Sequence, residues 1–342
     1  MSLFVLGAVL ALVATPHSMP PGPDSVTFVV LGHIRGKDDG TLSPKLPELI
    51  DRVRAIRPAF VVLTGDIIWG DVHHDMVDSA WVEQQWDRVD SALAGLKVPV
   101  YRTPGNHDIS DLVTRNIWRR RYGVPNQVLV RDGLRLVLIP SAWIPADGDT
   151  RHNPYVRPAA LDSSMVRWLG EALAGPPPPG PTLVFMHHLL WWEAAAPWWH
   201  DVHPLLRAAG VQVVFGGDLG PLKFGHTERD GIRYIQSSME AANQLVTLRK
   251  LEPSRILSSQ FDNFLVVRVR GPDVRVEVEV LGALNSEQFT AERYRTMMEP
   301  WPKTFRERMA ELVSTRRIAA LAVVLLGVFT GGWWVGRRRT AS

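Results

Sequence analysis

Apolar, β-branched residues gather in short runs along the chain, and several of these close on a glycine turn. They span 26–32 (VTFVVLG), 60–66 (FVVLTGD), 98–106 (VPVYRTPGN), 134–140 (LRLVLIP), 182–188 (TLVFMHH), 211–218 (VQVVFGGD) and 232–238 (IRYIQSS). Runs of this length and residue type predict strands. Two alternating runs, NFLVVRVRG and DVRVEVEVLG, meet at Gly271-Pro272-Asp273 and predict a β-hairpin. Helix-length segments lie between the early runs: Ser43–Ile56, Ser79–Leu96, Asp108–Arg121, Asp162–Leu173 and His200–Ala209. Strand and helix in alternation predict an α/β fold. The hairpin makes the sheet mixed, and two packed sheets are expected. Pro176–Pro179, between Gly175 and Gly180, reads as a surface linker.

The two ends of the chain differ from this middle. Leu3–Ala14 is apolar, too short to span a bilayer, and followed by a Pro-rich stretch up to residue 23. It reads either as a signal-peptide core or as a short interfacial segment. Ile318–Val335 carries no charge and lies between Arg316-Arg317 and Arg337-Arg338-Arg339. That length, with Trp333 and Trp334 near one end, predicts a transmembrane helix. The expected organisation is an N-terminal segment at 1–23, a folded domain at 24–285, a juxtamembrane segment at 286–317, the membrane helix at 318–335 and a basic tail at 336–342. This makes the protein a single-pass membrane protein with a C-terminal anchor. The domain is extracytoplasmic if the N-terminal segment is a signal, although arginines on both sides of the helix leave the orientation open.

Composition narrows the chemistry. The formal net charge is only +3, and the basic residues crowd toward the C-terminus, so nucleic-acid binding is not expected. The chain has no cysteine, which excludes disulfides and thiolate metal sites. Any metal must be held by His, Asp, Glu or Asn.

Five residues of those types fall at or just after strand ends: His33, Asp66, Asn106, His187 and Asp218. In open α/β sheets the ligand site lies off the carboxyl ends of the strands, so all five are expected to converge. The turn Thr103-Pro104-Gly105 is followed at once by Asn106, His107 and Asp108, three polar side chains that a turn alone does not require.

TGD at 64–66 and, about 40 residues on, GNHD at 105–108 make the chain resemble the calcineurin-like metallophosphoesterases. That family's pattern is D-x-H, G-D, G-N-H-[DE], a lone His after a strand, then G-H-x-H, and the order matches over 26–240. The resemblance implies an α/β four-layer sandwich, α-β-β-α, in which two mixed sheets pack face to face. It implies that Asp66, Asn106, His187 and Asp218 ligate a divalent metal, with Asp66 in the bridging position. His107 would stabilise the transition state or protonate the leaving group, and Asp108 would hold its imidazole in one tautomer. His187 is favoured over His188 as the lone histidine, because the neighbour would point away if the strand continued.

The departures from the pattern fall mostly on one metal. HIR replaces D-x-H, placing His33 and Arg35 there, and GDLG replaces G-H-x-H, placing Asp218 and Gly220. The first metal thereby loses two ligands, since arginine offers no lone pair and glycine no side chain. One ion is expected, Mn²⁺, Fe²⁺ or Zn²⁺ by its nitrogen and oxygen donors. The guanidinium of Arg35 would stand in for the other cation and grip phosphate, while His33 would ligate or relay a proton. The implied reaction is hydrolysis of a phosphate ester; the alternative is an inactive domain that serves as a binding or scaffold protein. Trp191, Trp192, Trp198 and Trp199, on the segment leaving His187, either wall a pocket for a lipid-like phosphoester or simply pack over the sheet.

Overall fold

The computed structural model describes residues 25–71, 77–152, 158, 160–218, 223–239 and 262–281. The first of two compact units, Met1–Ala283, holds all of them. The expected membrane helix, the N-terminal segment and Gly220 lie outside the described residues. Among the described residues no helix is long and apolar enough to cross a membrane.

Among the described residues, eleven strands form two sheets. β1 (Ser25–Leu31), β2 (Val61–Thr64), β3 (Val100–Thr103), β10 (Asn263–Arg270) and β11 (Asp273–Val280) make the first, in the order β11-β10-β1-β2-β3. β1, β2 and β3 run parallel, and the β10–β11 hairpin adds antiparallel to β1. β4 (Gln127–Arg131), β5 (Leu134–Leu138), β6 (Thr182–Met186), β7 (Val211–Gly216), β8 (Phe224–Arg229) and β9 (Ile232–Ser237) make the second, in the order β4-β5-β6-β7-β9-β8. Its inner four strands are parallel and its two edges antiparallel. Both sheets are therefore mixed, as expected.

Each inner strand is apolar on both faces because both faces are covered. Phe28, Val30, Phe60 and Val62 of the first sheet meet Leu136, Leu138, Phe185 and Phe215 of the second in one buried layer. The alternate residues, Val29, Leu31, Val61 and Leu63, pack outward against α1 (Leu46–Ile56), α2 (Ser79–Ala94) and α3 (Leu112–Tyr122). Val137, Ile139, Val184 and Met186 do the same on the second sheet against α4 (Ser163–Ala174), α5 (Trp198–Asp201) and α6 (His203–Ala208).

Three expectations are corrected here. The helix expected from Asp108 begins at Leu112, because Asp111 and Thr114 form a reciprocal capping box that fixes its start. This releases 105–111 as a loop. The segment expected as one helix over 200–209 is two short helices that meet at Val202. Trp191 and Trp198 are buried in the layer outside the second sheet, tilted and edge-on against Tyr234, so they do not wall a pocket. Only Trp192 of the four stands clear, at 36% exposure.

Candidate metal centre

The site forms where the parallel strands of both sheets end, and its loops are tied to one another by backbone. Gly65 and Asp66 turn the chain after β2 with φ of 85° and 50°. Left-handed backbone at an aspartate is strained and is maintained only where its surroundings fix it. Here His33 N–H donates to Gly65 O at 3.1 Å and Arg35 N–H to Asp66 O at 2.9 Å, joining the loops after β1 and β2. His33 itself has φ 52°. Gly217 and Asp218 both donate backbone N–H to His187 O, at 3.0 and 2.8 Å, which joins the loops after β6 and β7. Thr103 Oγ1 donates to Ile139 O at 2.7 Å, tying β3 to the end of the second sheet.

Asp108 completes this framework, and its expected role is corrected. It is fully buried. Its Oδ1 accepts from Ile67 N and Ile68 N at 2.9 and 3.1 Å, and its Oδ2 from Gly105 N at 2.8 Å. The carboxylate thus pins the loop after β2 to the loop after β3 and does not reach the imidazole of His107. That task falls to the carbonyl of Trp69, which takes His107 Nδ1–H at 2.7 Å. Burial, and then the charge of Asp66, push the Asp108 carboxyl up to about 7, against the pull of those three N–H groups.

All six expected ligating and proton-handling side chains are buried and brought together: His33, Asp66, Asn106, His107, His187 and Asp218. Asp66 stands at the centre. Its Oδ2 lies 3.2 Å from His33 Nε2, and its Oδ1 lies 3.3 Å from His187 Nε2. The two imidazole planes are nearly parallel, at 16°. Each oxygen of one carboxylate therefore faces its own histidine, the arrangement of a bridging group. Burial favours the neutral acid, but the imidazoles of His187, His107 and His33 outweigh it and hold Asp66 well below the usual carboxylate range.

The two halves differ in charge. On the His33 side the protein supplies its own cation. Arg35 Nε donates to His33 Nε2 at 3.1 Å and lies 3.6 Å from Asp66 Oδ2. The guanidinium rests over the Trp69 ring, 4.2 Å from its centroid. His33 Nε2 is thereby engaged by Arg35 on one side and Asp66 Oδ2 on the other, and burial lowers the pKa of His33. On the His187 side no Lys or Arg among the described residues pairs with Asp66 Oδ1.

The His187 side fits a metal ion. His187 Nδ1 lies 2.9 Å from Thr64 O, which only accepts, so Nδ1 carries the proton. In the neutral ring Nε2 is then a bare lone pair. It faces Asp66 Oδ1 at 3.3 Å and Asp218 Oδ1 at 3.7 Å, and it is hydrogen-bonded to neither. A buried lone pair aimed between two carboxylates is repulsive unless a cation lies among them. Two ligands of an ion with bonds of about 2.1 Å stand about 3.0–3.4 Å apart, close to the spacing seen. His187, His188 and Asp218 each offer an atom within 4.8 Å of the others.

Sequence reasoning missed four contributors. β6 ends at Met186, so His188 does not alternate to the far side; it turns in, with Nε2 3.2 Å from Asn106 Oδ1. Ser141 accepts the backbone N–H of both histidines, at 3.1 and 2.8 Å. Trp69 and Thr64 act through backbone carbonyls, which no residue pattern marks. The doubled histidine was the one visible signal. His226, on an edge strand, is exposed and does not join the cluster.

The calcineurin-like phosphoesterase family pattern matches residues 40–220, more than half of the chain. This chain belongs to the calcineurin-like phosphoesterase family. No curated protein matches it. Among solved structures it is similar to a dimetal phosphatase from Danio rerio, at 13% identity and a TM-score of 0.49, over 75% of this chain and 99% of that one. It is also similar to GAP50, the anchor in the inner membrane complex of Plasmodium, at 10% identity and a TM-score of 0.50, over 83% of this chain and 98% of that one. The second likeness shows the shared fold. The matched residues include Asp66, Asn106, His107, His187 and Asp218, whereas His33 and Arg35 precede them.

Proposed function

We propose that this chain is a one-metal phosphoesterase in which Arg35 occupies the charge position of a second ion. The observation that carries the proposal is the buried lone pair of His187 Nε2, aimed between Asp66 and Asp218 with no hydrogen bond to either. Asp66, Asn106, His187 and Asp218 would hold one divalent ion, Mn²⁺, Fe²⁺ or Zn²⁺. Bound there, the ion would act as a Lewis acid toward a phosphoryl oxygen and lower the pKa of water.

The chain's own residues do the rest. The Arg35 guanidinium, backed by the Trp69 ring, grips two phosphoryl oxygens and balances the charge that builds on them. His107 keeps its Nδ1 proton on Trp69 O, so Nε2 is the ring atom left to accept the proton of the attacking water, which is then available to the leaving oxygen. Burial, and then Arg35, keep the pKa of His107 low against the pull of Asp66, so the ring is neutral before substrate arrives. The first-metal role expected of His33 is dropped, because Arg35 and Asp66 Oδ2 both engage its Nε2.

The substrate class is a phosphate ester. A lipid-like ester now draws support only from the apolar segment Ile318–Val335, since the tryptophan argument is gone. That segment would anchor the protein in a membrane, with the domain extracytoplasmic.

The Arg35–His33 contact also favours a second reading, a binding or scaffold domain, since it closes the other half of the site. One experiment separates the two. The full chain is purified, its metal content measured, and phosphomonoesters and phosphodiesters assayed with added Mn²⁺. About one ion per chain, and activity lost in Asp66→Ala and His107→Ala, is the expected result. Bound metal without turnover selects the scaffold reading, and background metal in the wild type overturns both.

A further inference from the structure

We propose that His188 is a positioning residue whose task is to fix the amide of Asn106, with Ser141 as its anchor. The inference rests on the one-metal reading above and adds a residue that the family pattern does not assign.

The argument is an accounting of hydrogens around Ser141 Oγ. That hydroxyl is buried and has three neighbours: His187 N at 3.1 Å, His188 N at 2.8 Å and His188 Nδ1 at 3.2 Å. The two backbone N–H groups can only donate, and they fill both oxygen lone pairs. The hydroxyl's own hydrogen must therefore go to His188 Nδ1. A ring nitrogen that accepts carries no proton, so the neutral imidazole has its hydrogen on Nε2. Nε2 lies 3.2 Å from Asn106 Oδ1 and donates to it.

This chain of bonds has a purpose for the site. An asparagine amide presents oxygen or nitrogen depending on a half-turn of its side chain, and only the oxygen can ligate a cation. A donor fixed beside Asn106 selects the oxygen-inward state, because the reverse would set two N–H groups against each other. Oδ1 has two lone pairs, so a bond from His188 does not by itself use up the oxygen. The same bond spends Nε2–H, and Ser141 spends Nδ1, so His188 has no lone pair to offer. It therefore differs in kind from His187, although the two rings are 4.8 Å apart and their donor atoms lie in one cluster. Ser141 couples the pair: the oxygen that sets the backbone of both histidines also sets the tautomer of the second.

The test is a double-mutant cycle read by Mn²⁺ titration calorimetry on the full chain after chelator treatment. His188→Ala should weaken Mn²⁺ binding about 10–100-fold, the usual effect of losing a residue that orients a ligand. Asn106→Asp presents oxygen whichever way it turns, so in that background His188→Ala should cost less than about threefold. An equal loss in both backgrounds would make His188 a ligand and overturn the proposal, as would no loss in either. Nitrogen NMR shifts of the folded wild type give a second readout that needs no variant: Nδ1 unprotonated and Nε2 protonated at His188. The reverse tautomer overturns the proposal. Failure of the one-metal reading looks different, since the wild type would then bind no Mn²⁺ at all.

Discussion

Arg35 Nε donates to His33 Nε2 at 3.1 Å, so the two side chains hold each other beside Asp66 Oδ2. Removing one should free the other. In Arg35→His the site would hold two imidazoles beside Asp66 Oδ2, enough donors for an ion of moderate affinity. The expected outcome is a rise from about one Mn²⁺ or Zn²⁺ per chain toward two, measured by elemental analysis after dialysis. Unchanged stoichiometry would show that Arg35 is not what closes that half.

The His187 half predicts a stabilisation. An ion that binds only the folded chain, present at about 100 times its Kd, adds about 2.7 kcal/mol. Urea unfolding with and without Mn²⁺ should show this difference in the wild type. His187→Ala should lose it, because the lone pair facing Asp66 and Asp218 is gone. A variant that still responds fully to Mn²⁺ would place the ion elsewhere.

Trp69 serves through two parts, its ring under Arg35 and its carbonyl on His107. Only the ring depends on the side chain. A cation over an aromatic face contributes about 0.5–2 kcal/mol. Trp69→Leu should therefore lower kcat/KM by roughly 3–30-fold, chiefly through weaker phosphate binding, while Trp69→Phe keeps most of the activity. If both variants lose activity equally, the indole has a further role.

Asp108 predicts a pH dependence of stability. Its folded pKa of about 7 lies above the ordinary 3.8, so folding takes up a proton between those values. Its contribution is full below about pH 4 and falls as pH rises toward about 7. His33 and His107, with pKa values lowered from 6.5, act in the opposite sense below about pH 6.5. The wild-type curve is thus a sum, and Asp108→Asn isolates one part. In metal-free protein, unfolding free energies measured across pH 4–8 should decline less with pH in Asp108→Asn than in wild type. Parallel curves would remove the elevated carboxyl from the account.

Nine of the eleven strands were legible in the sequence, because inner strands buried on both faces read as continuous apolar runs. The two missed ones are edges. β8 reads FGHTER and is polar, and β4 is half exposed, with Val130 at 69%. Neither needs an apolar run, since pairing with a single neighbour holds it. The convergence of Asp66, Asn106, His187 and Asp218 followed from their places at strand ends. The roles of Asp108 and His188 did not. One depended on a helix starting four residues later than its pattern suggested, the other on a strand stopping two residues earlier. Both depend on where an element ends, and that is set by caps and by a serine distant in sequence, not by the local run.

Gly65 and Gly105 lie under the carboxylate of Asp66 so closely that a methyl group on Gly105 would stand 2.2 Å from Asp66 Oδ1, and one on Gly65 would stand 2.6 Å from His187 Nδ1. The bed of the site is bare main chain, with no spare volume for side-chain variation. Any change of chemistry here must come from side chains that reach in over that bed, and those of His33, Arg35 and Asp218 are of that kind.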